Sequence, residues 1–351
     1  NLWVKQKGRI IKNPIKIIEK LDDLSLPNFD SKNFIHINNG SFSKGDFKLF
    51  DNNGYLIMTS RGCPCRCTYC VHSVLSRKID STPYKGKYVR RRSVKHVIDE
   101  LRLAKEHFPM IKLIRVCDDI FSIDAKWLRE FSVLYKKHIN IPLWCNMHIN
   151  FINQEIIDSL KHAGLVLCSI GVESGSQRIR YQVYNKFISN DKIFEVVNLL
   201  NKNKVKHNLN ILMNNPLEGD EDLKKGVEFL LTLPRPIHMN FFSLVNFPGT
   251  DLTERLLKEG IIERKDICKN VSNSVSMRVL GKQKLKEIKK QYWFYIYNSI
   301  PKSFIPKFLI RFFIKDFFIV HPKFVINTYK VIYGIYNLKD RLYKSGNLYD
   351  S

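Results

Sequence analysis

The sequence predicts an α/β protein built on a partial (βα)6 TIM-like barrel, with an N-terminal linker and a helical, aromatic and basic C-terminal extension. Three observations lead there. Six short apolar runs alternate with stretches of helical spacing between residues 54 and 259. Residues 1–50 are polar and broken by turn signals, and the alternation stops after residue 261. Strands that each feed a helix pair in parallel through crossovers, and right-handed crossovers curl such a sheet towards a barrel. Six units fall short of the usual eight, so the barrel is expected to stay open.

The elements follow in order. An Asn-Pro step, a Leu-Pro-Asn turn and a Gly/Ser/Lys loop mark 1–50 as linker, and the core spans 51–260. GYLIMTS at 54–60 is the first strand. Residues 93–108 set Val97, Leu101 and Ala104 on one helical face, with Ser93 as cap. IKLIRVC at 111–117 is the second strand and 125–137 a helix. PLWCN at 142–146 is the third, before a helix at 154–163 stopped by Gly164. LVLCSI at 165–170 is the fourth, with helical spacing on to about residue 203. KHNLNILM at 206–213 and HMNFFSLV at 238–245 are the fifth and sixth. Helices at 221–233 and 250–259 follow them. Residues 261–351 form the extension, rich in aromatics and Lys over 291–335; a packing lid over the open barrel is the expected role.

Composition narrows the function. A chain of 351 residues with 44% hydrophobic content can bury a sizeable core. The formal net charge of +25 favours polyanions, but the Lys residues are scattered, and charge alone does not make nucleic acid the expected partner. Nothing near the start reads as a signal peptide, and no apolar run reaches the roughly 18–20 residues of a membrane span. A cytoplasmic protein is expected, and the mixed Phe/Ile and Lys/Arg tail leaves peripheral membrane contact open.

Four of the eight cysteines sit at 63, 65, 67 and 70, on the loop directly after the first strand. Functional sites on parallel α/β sheets lie at such carboxyl ends. Cys63, Cys67 and Cys70 are spaced C-x3-C-x2-C. Three thiolates on one loop can wrap a 4Fe–4S cube and leave one iron open to a small molecule. Zinc is the competing reading, with Cys65 or His72 as fourth ligand.

Together, GYLIMTSRGCPCRCTYCVHS, GKYVRRRSVKHVIDEL, DDIF, GVESGS and FPGT resemble the radical S-adenosylmethionine (SAM) superfamily, in its cobalamin-binding-domain subgroup, over about residues 10–255. GRIIKNPIKIIEKLDDLSLPNFD is similar to the connector that leaves the cobalamin-binding domain. That domain's Asp-x-His-x-x-Gly loop is not in this chain, which leaves cobalamin use open.

The resemblance implies that Cys63, Cys67 and Cys70 ligate the cluster and carry catalysis, with Tyr69 beside them. It implies that Asp118 or Asp119 meets the ammonium of SAM; a turn-capping Asp is the plain alternative. Glu173 would reach the ribose hydroxyls, and Ser174 is placed with it among the cofactor-binding residues; helix capping by Ser174 or Ser176 is the plain alternative. Lys186 stands nearest to where relatives carry an Arg for the SAM carboxylate, with Arg178 and Arg180 as competitors. Relatives often read Gly-Leu-Pro-Gly-Glu-Thr after the fifth strand. Here the text is Asn214-Asn215-Pro216-Leu217-Glu218-Gly219, which puts adenine contacts there in doubt. His72 and His148 lie near strand ends.

The expected function is a radical SAM enzyme that cleaves SAM reductively and starts a methylation or rearrangement on a small or lipid-like substrate. An electron donor of flavodoxin or ferredoxin type is implied. A tRNA-modifying radical SAM enzyme and a non-catalytic iron–sulfur or zinc protein are the alternatives.

Overall fold

In a computed structural model the residues described are 3–13, 17–29, 35–38, 40–44, 54–81, 86–268 and 286–329. Six strands make one sheet: β1 (Gly54–Ile57), β2 (Leu113–Val116), β3 (Leu143–Met147), β4 (Leu165–Glu173), β5 (Lys206–Met213) and β6 (His238–Ser243). They lie across the sheet in chain order, with β1 and β6 at the two edges, and every neighbouring pair is parallel. This is the open (βα)6 barrel that the alternation predicts.

Helices α1 (Val71–Asp80) and α2 (Val94–His107) join β1 to β2. The other crossovers are α3 (Ala125–His138), α4 (Gln154–Ala163), α5 (Asn190–Lys202) and α6 (Asp220–Thr232), and α7 (Asp251–Lys258) follows β6. Helix α2 buries Val97, Leu101 and Ala104, the expected face. Ser93 caps it, accepting from His96 N at 3.1 Å. Asp124, Asn153 and Ser189 cap α3, α4 and α5 in the same way. Each such cap stabilises its helix by about 1 kcal/mol.

Three local expectations are corrected. The first strand ends at Ile57 rather than at residue 60, because Thr59 and Ser60 turn aside to bond Asp118; Ser60–Arg61 then pairs antiparallel with Arg90–Arg91. Helix α1 starts immediately after the cysteines, where no helix is expected. The stretch after β4 opens with a π-helical turn, Ile179–Val183, and α5 begins only at Asn190.

Residues before 51 are more than a linker. Two short hairpins pair Trp3–Gln6 with Arg9–Lys12 and Ile35–Asn38 with Ser41–Lys44. Leu21 and Phe29 are buried, and the Phe29 ring meets Tyr55 of β1 and Phe108 edge-on, at 6.0 and 5.2 Å.

The extension forms α8 (Lys286–Ser299), α9 (Lys307–Phe313) and α10 (Asp316–Val320). Residues 269–285 and 330–351 of it lie outside the described part. Helix α8 buries Tyr292, Trp293, Ile296 and Tyr297 in the core of the sheet domain. Trp293 Nε1 donates to Asp220 at 2.9 Å, and Tyr297 Oη to the Leu223 carbonyl of α6 at 3.2 Å. Phe294 packs on Phe241 of β6 at 5.7 Å. The extension therefore covers α6 and the last strand. No described helix is long and apolar enough to cross a membrane.

Candidate functional site

The cysteine loop has no regular structure of its own, so its shape comes from its anchors. At its root, the Asp118 carboxylate is completely buried just past the end of β2. It accepts from Thr59 N (2.6 Å), Thr59 Oγ1 (2.5 Å), Ser60 N (3.2 Å) and Ser60 Oγ (2.6 Å). Arg91 stands 3.8 Å away. In mid-loop, Thr68 N and Oγ1 donate to the carbonyls of Tyr184 (3.0 Å) and Val183 (2.5 Å). Asn185 Nδ2 donates to the Arg66 carbonyl at 3.0 Å, and Leu252 N of α7 to the Thr68 carbonyl at 2.9 Å. Gly62 has φ +88°, and a Cβ there would stand 2.6 Å from the Tyr88 carbonyl oxygen. That turn suits glycine alone.

All four cysteines are free thiols; Cys67 is buried and Cys63, Cys65 and Cys70 are half-buried. Cys63 and Cys65 share a hydrogen bond, which raises the first thiol's pKa and lowers the second's. Burial pushes the Cys67 thiol up to about 11, against the pull of Lys186. Among the described residues, no three Cys, His, Asp or Glu side chains converge closely enough to hold one metal ion. Cysteines around a cube need not converge so, since each binds its own iron.

Lys186 and Glu173 face this loop. The Lys186 ammonium is buried and lies 3.1 Å from Glu173 Oε1. Burial lowers the lysine pKa, but Glu173 and the Cys67 thiol outweigh it, so the ammonium stays charged. Gly171 makes room for the pair, because a Cβ there would collide with Glu173 Oε1 and stand 3.0 Å from Lys186 Nζ. Arg178 and Arg180 do not compete for the role. Arg178 pairs with Asp222 at 2.5 Å. Arg180 is fully buried and donates to the carbonyls of Ser174, Gly175 and Ile188.

Two expected residues stand elsewhere. Asp118 has its oxygens saturated by the chain and does not stand free for a ligand's ammonium; it fixes the loop instead. Ser174 is buried, donates to Glu218 Oε1 at 2.5 Å and accepts from Ser176 N at 3.0 Å, so it holds the β4 and β5 ends together. Asp119 is the carboxylate at the rim. His72 Nε2 lies 3.0 Å from Asp119 Oδ2, and His72 Nδ1 lies 2.6 Å from Tyr88 Oη. The bond to Asp119 raises the His72 pKa. Tyr69 packs edge-on against Tyr184 at 4.8 Å. His148 is buried near Lys186 and Glu173; burial, then Lys186, pulls its pKa down to about 4, so it is neutral.

Sequence reading missed Tyr88 and the link through His72 to Asp119, which join three separated segments with no shared motif. It missed Glu218 as well. Burial raises that carboxyl to about 7, with a Ser174 bond opposing. A cavity of about 330 Å³ opens beside Cys63, lined by Pro64, Arg66, Ser76, Asp80, Lys87 and Tyr88. A larger one, about 550 Å³, lies away from the thiols, between Leu21–Phe29 and β1.

Residues 57–230 match the family model of the Radical SAM superfamily. The chain is 24% identical over 263 residues to an uncharacterised methyltransferase of Pyrococcus horikoshii, covering 74% of this chain and 52% of that protein. It is 24% identical over 280 residues to the bacteriochlorophyllide d C-8(2)-methyltransferase of Chlorobaculum tepidum, covering 76% and 58%. The chain thus spans about half the length of the curated relatives it matches. In fold it resembles the radical SAM methyltransferase TsrM of Kitasatospora setae, solved with tryptophan and a SAM analogue. The TM-score there is 0.50 at 19% identity, over 59% of this chain and 39% of that one. A 4Fe–4S cluster and SAM are the cofactors that the matched domain implies. With its open parallel barrel and its cysteine loop at the end of β1, the chain belongs to the radical SAM superfamily.

Proposed function

We propose that this chain is the radical-forming part of a SAM-dependent methyltransferase, with Cys63, Cys67 and Cys70 as the cluster ligands and Cys65 outside the set. The carrying observation is placement: the thiols sit on the loop after β1, facing Glu173 at the end of β4 and its partner Lys186. The donor set fits a cluster. Four free thiols lie within one loop, and the buried Lys186 cation offsets the negative charge that thiolates bring. When bound, the cluster supplies the electron for reductive cleavage of SAM, and the cofactors carry the radical chemistry.

The chain's own residues bind, orient and neutralise. Cys67 gives up its proton on ligation, since the thiolate is the ligand. Asp119 offers the ammonium-binding carboxylate at the rim, held in place by His72, which Tyr88 holds in turn. Glu173 turns one oxygen to Lys186 and keeps the other for the ribose hydroxyls. Methyl transfer is favoured over rearrangement because both curated relatives above carry that name. Cobalamin belongs to the proposal as methyl carrier, on the likeness of residues 8–30 to the exit of a cobalamin-binding domain. Free thiols suit a reducing cytoplasm and a flavodoxin- or ferredoxin-type donor.

The test is anaerobic reconstitution with iron and sulfide, then reduction and assay for 5′-deoxyadenosine. Wild type and Cys65→Ala are expected to show cluster absorbance and release product, and Cys67→Ala neither. Zinc retained in place of iron, or a cluster that needs Cys65 and not Cys67, would overturn the reading.

A further inference from the structure

The outer face of the extension has no part in the thiol site. Helices α9 and α10 bury Ile310, Phe313, Phe318 and Ile319 inward and turn a second row of side chains outward. Phe308 is 72% exposed, Phe317 64% and Phe324 60%. The outward rings are linked through a buried one. Phe312, Phe317 and Phe324 all touch the Phe318 ring, at centroid distances of 4.8, 5.2 and 6.0 Å. Phe308 lies one helical turn before Phe312.

Charge accompanies the rings. Over residues 301–324 five cations, Lys302, Lys307, Arg311, Lys315 and Lys323, accompany one acid, Asp316, which Lys224 already pairs. Arg311 pairs with Glu228 and Lys307 donates to the Leu231 carbonyl, so Lys315 and Lys323 are the cations set beside the exposed rings. The Lys315 ammonium lies 5.6 Å from the centre of the Phe312 ring, so cation and ring share the face. Clustered exposed rings rimmed by cations mark a contact surface. A basic and aromatic face complements a bilayer with anionic headgroups, where rings enter the acyl boundary and ammonium groups reach the phosphates.

We propose that this face docks the protein on an anionic membrane surface, with the rings of Phe308, Phe312, Phe317 and Phe324 entering the lipid boundary and Lys315 and Lys323 at the phosphates. The contact is peripheral, since neither helix can span. It is independent of the radical chemistry.

Sedimentation with vesicles tests it. The full chain is expected to sediment with phosphatidylcholine vesicles that contain phosphatidylglycerol, and not with phosphatidylcholine alone. The variant Phe308→Ser/Phe317→Ser should weaken that partition by roughly tenfold or more. Both positions are exposed, and circular dichroism checks that the variant folds. Failure to bind the anionic vesicles would overturn the proposal. Undiminished binding by the variant would do the same. So would a dimer in light scattering that the variant dissolves without vesicle binding, which would make a second copy the occupant. Binding to single-stranded RNA without binding to vesicles would also refute it.

Discussion

Asp118 offers the sharpest test of the site's construction, because position and burial assign it opposite roles. By position it belongs to the ligand; by geometry it belongs to the loop. Replacing it with Ala removes the acceptor of two backbone N–H groups and two hydroxyls. It also strips the facing charge from Arg91, whose Nη2 lies 3.8 Å from the carboxylate and donates to the Ile120 and Phe121 carbonyls, whose Nη1 is buried with no hydrogen-bond partner, and whose pKa burial lowers. Unsatisfied buried groups and a buried cation that loses its facing carboxylate place the loss at roughly 4–5 kcal/mol, the high end for one substitution. Asp118→Asn should cost about 2 kcal/mol. Its remaining oxygen still serves the two N–H groups, and the hydroxyls can turn to accept from the amide; only charge assistance is lost. Asp119→Asn, at the half-exposed rim, should cost less than about 1 kcal/mol. Urea unfolding of the reduced chain, followed by circular dichroism, measures all three. Equal losses for Ala and Asn at position 118, or a greater loss at 119 than at 118, would refute the assignment.

Two further outcomes are expected. Lys186→Met should destabilise by about 3 kcal/mol by leaving Glu173 buried and unpaired, and Glu173→Gln/Lys186→Met should cost less than the two singles summed; a double-mutant cycle with no coupling would deny the pair. Glu218→Gln should stabilise the chain at pH 8 relative to pH 5. The folded chain holds the Glu218 proton up to about 7 and the unfolded chain only to about 4.5, so wild type loses stability as pH rises through that window while the Gln variant does not. The relative gain is at most about 3 kcal/mol; a difference that stays flat between pH 5 and 8 would show that Glu218 ionises normally.

The fold was legible because its signals are local. Each strand is a short apolar run, each helix carries its own face and cap, and Ser93 and Gly164 stand at the helix ends that their types predict. The thiols were legible because four cysteines in eight residues have few other uses. What lay hidden was long-range. Asp118 and Asp119 are adjacent, with the same chemistry in the text, yet one is enclosed by Thr59, Ser60 and Arg91 and the other faces His72. Neighbours about 60 and 47 residues away decided which does what. Lys186 was singled out as the substitute for an Arg, but its ion pair with Glu173 depends on a π-helical turn that no periodicity announces. The tail's inner face was foreseeable from aromatic content; its docking on α6 was not.

The stretch after β5 departs from the pattern of relatives, and its backbone and side chains build the turn in their own way. Pro216 aligns this stretch with the pattern of relatives, so Asn214 stands where they carry the first glycine. Asn214 has φ +67°, in the left-handed region. Asn enters that region more readily than other residues with a Cβ. Its amide also donates to Ser243 Oγ at the end of β6, at 3.1 Å, which glycine could not do. Asn215 then closes the turn, since its Oδ1 accepts from Leu217 N at 3.0 Å and its carbonyl from Glu218 N at 3.1 Å. Leu217, in place of the second glycine, is not in the left-handed region, so nothing there demands glycine. Glu218 keeps its place in the pattern and reaches Ser174. The turn between β5 and α6 is thus held by side-chain bonds of Asn214 and Asn215. The stretch that looked least like its relatives still brings the carboxyl ends of β4, β5 and β6 to one rim.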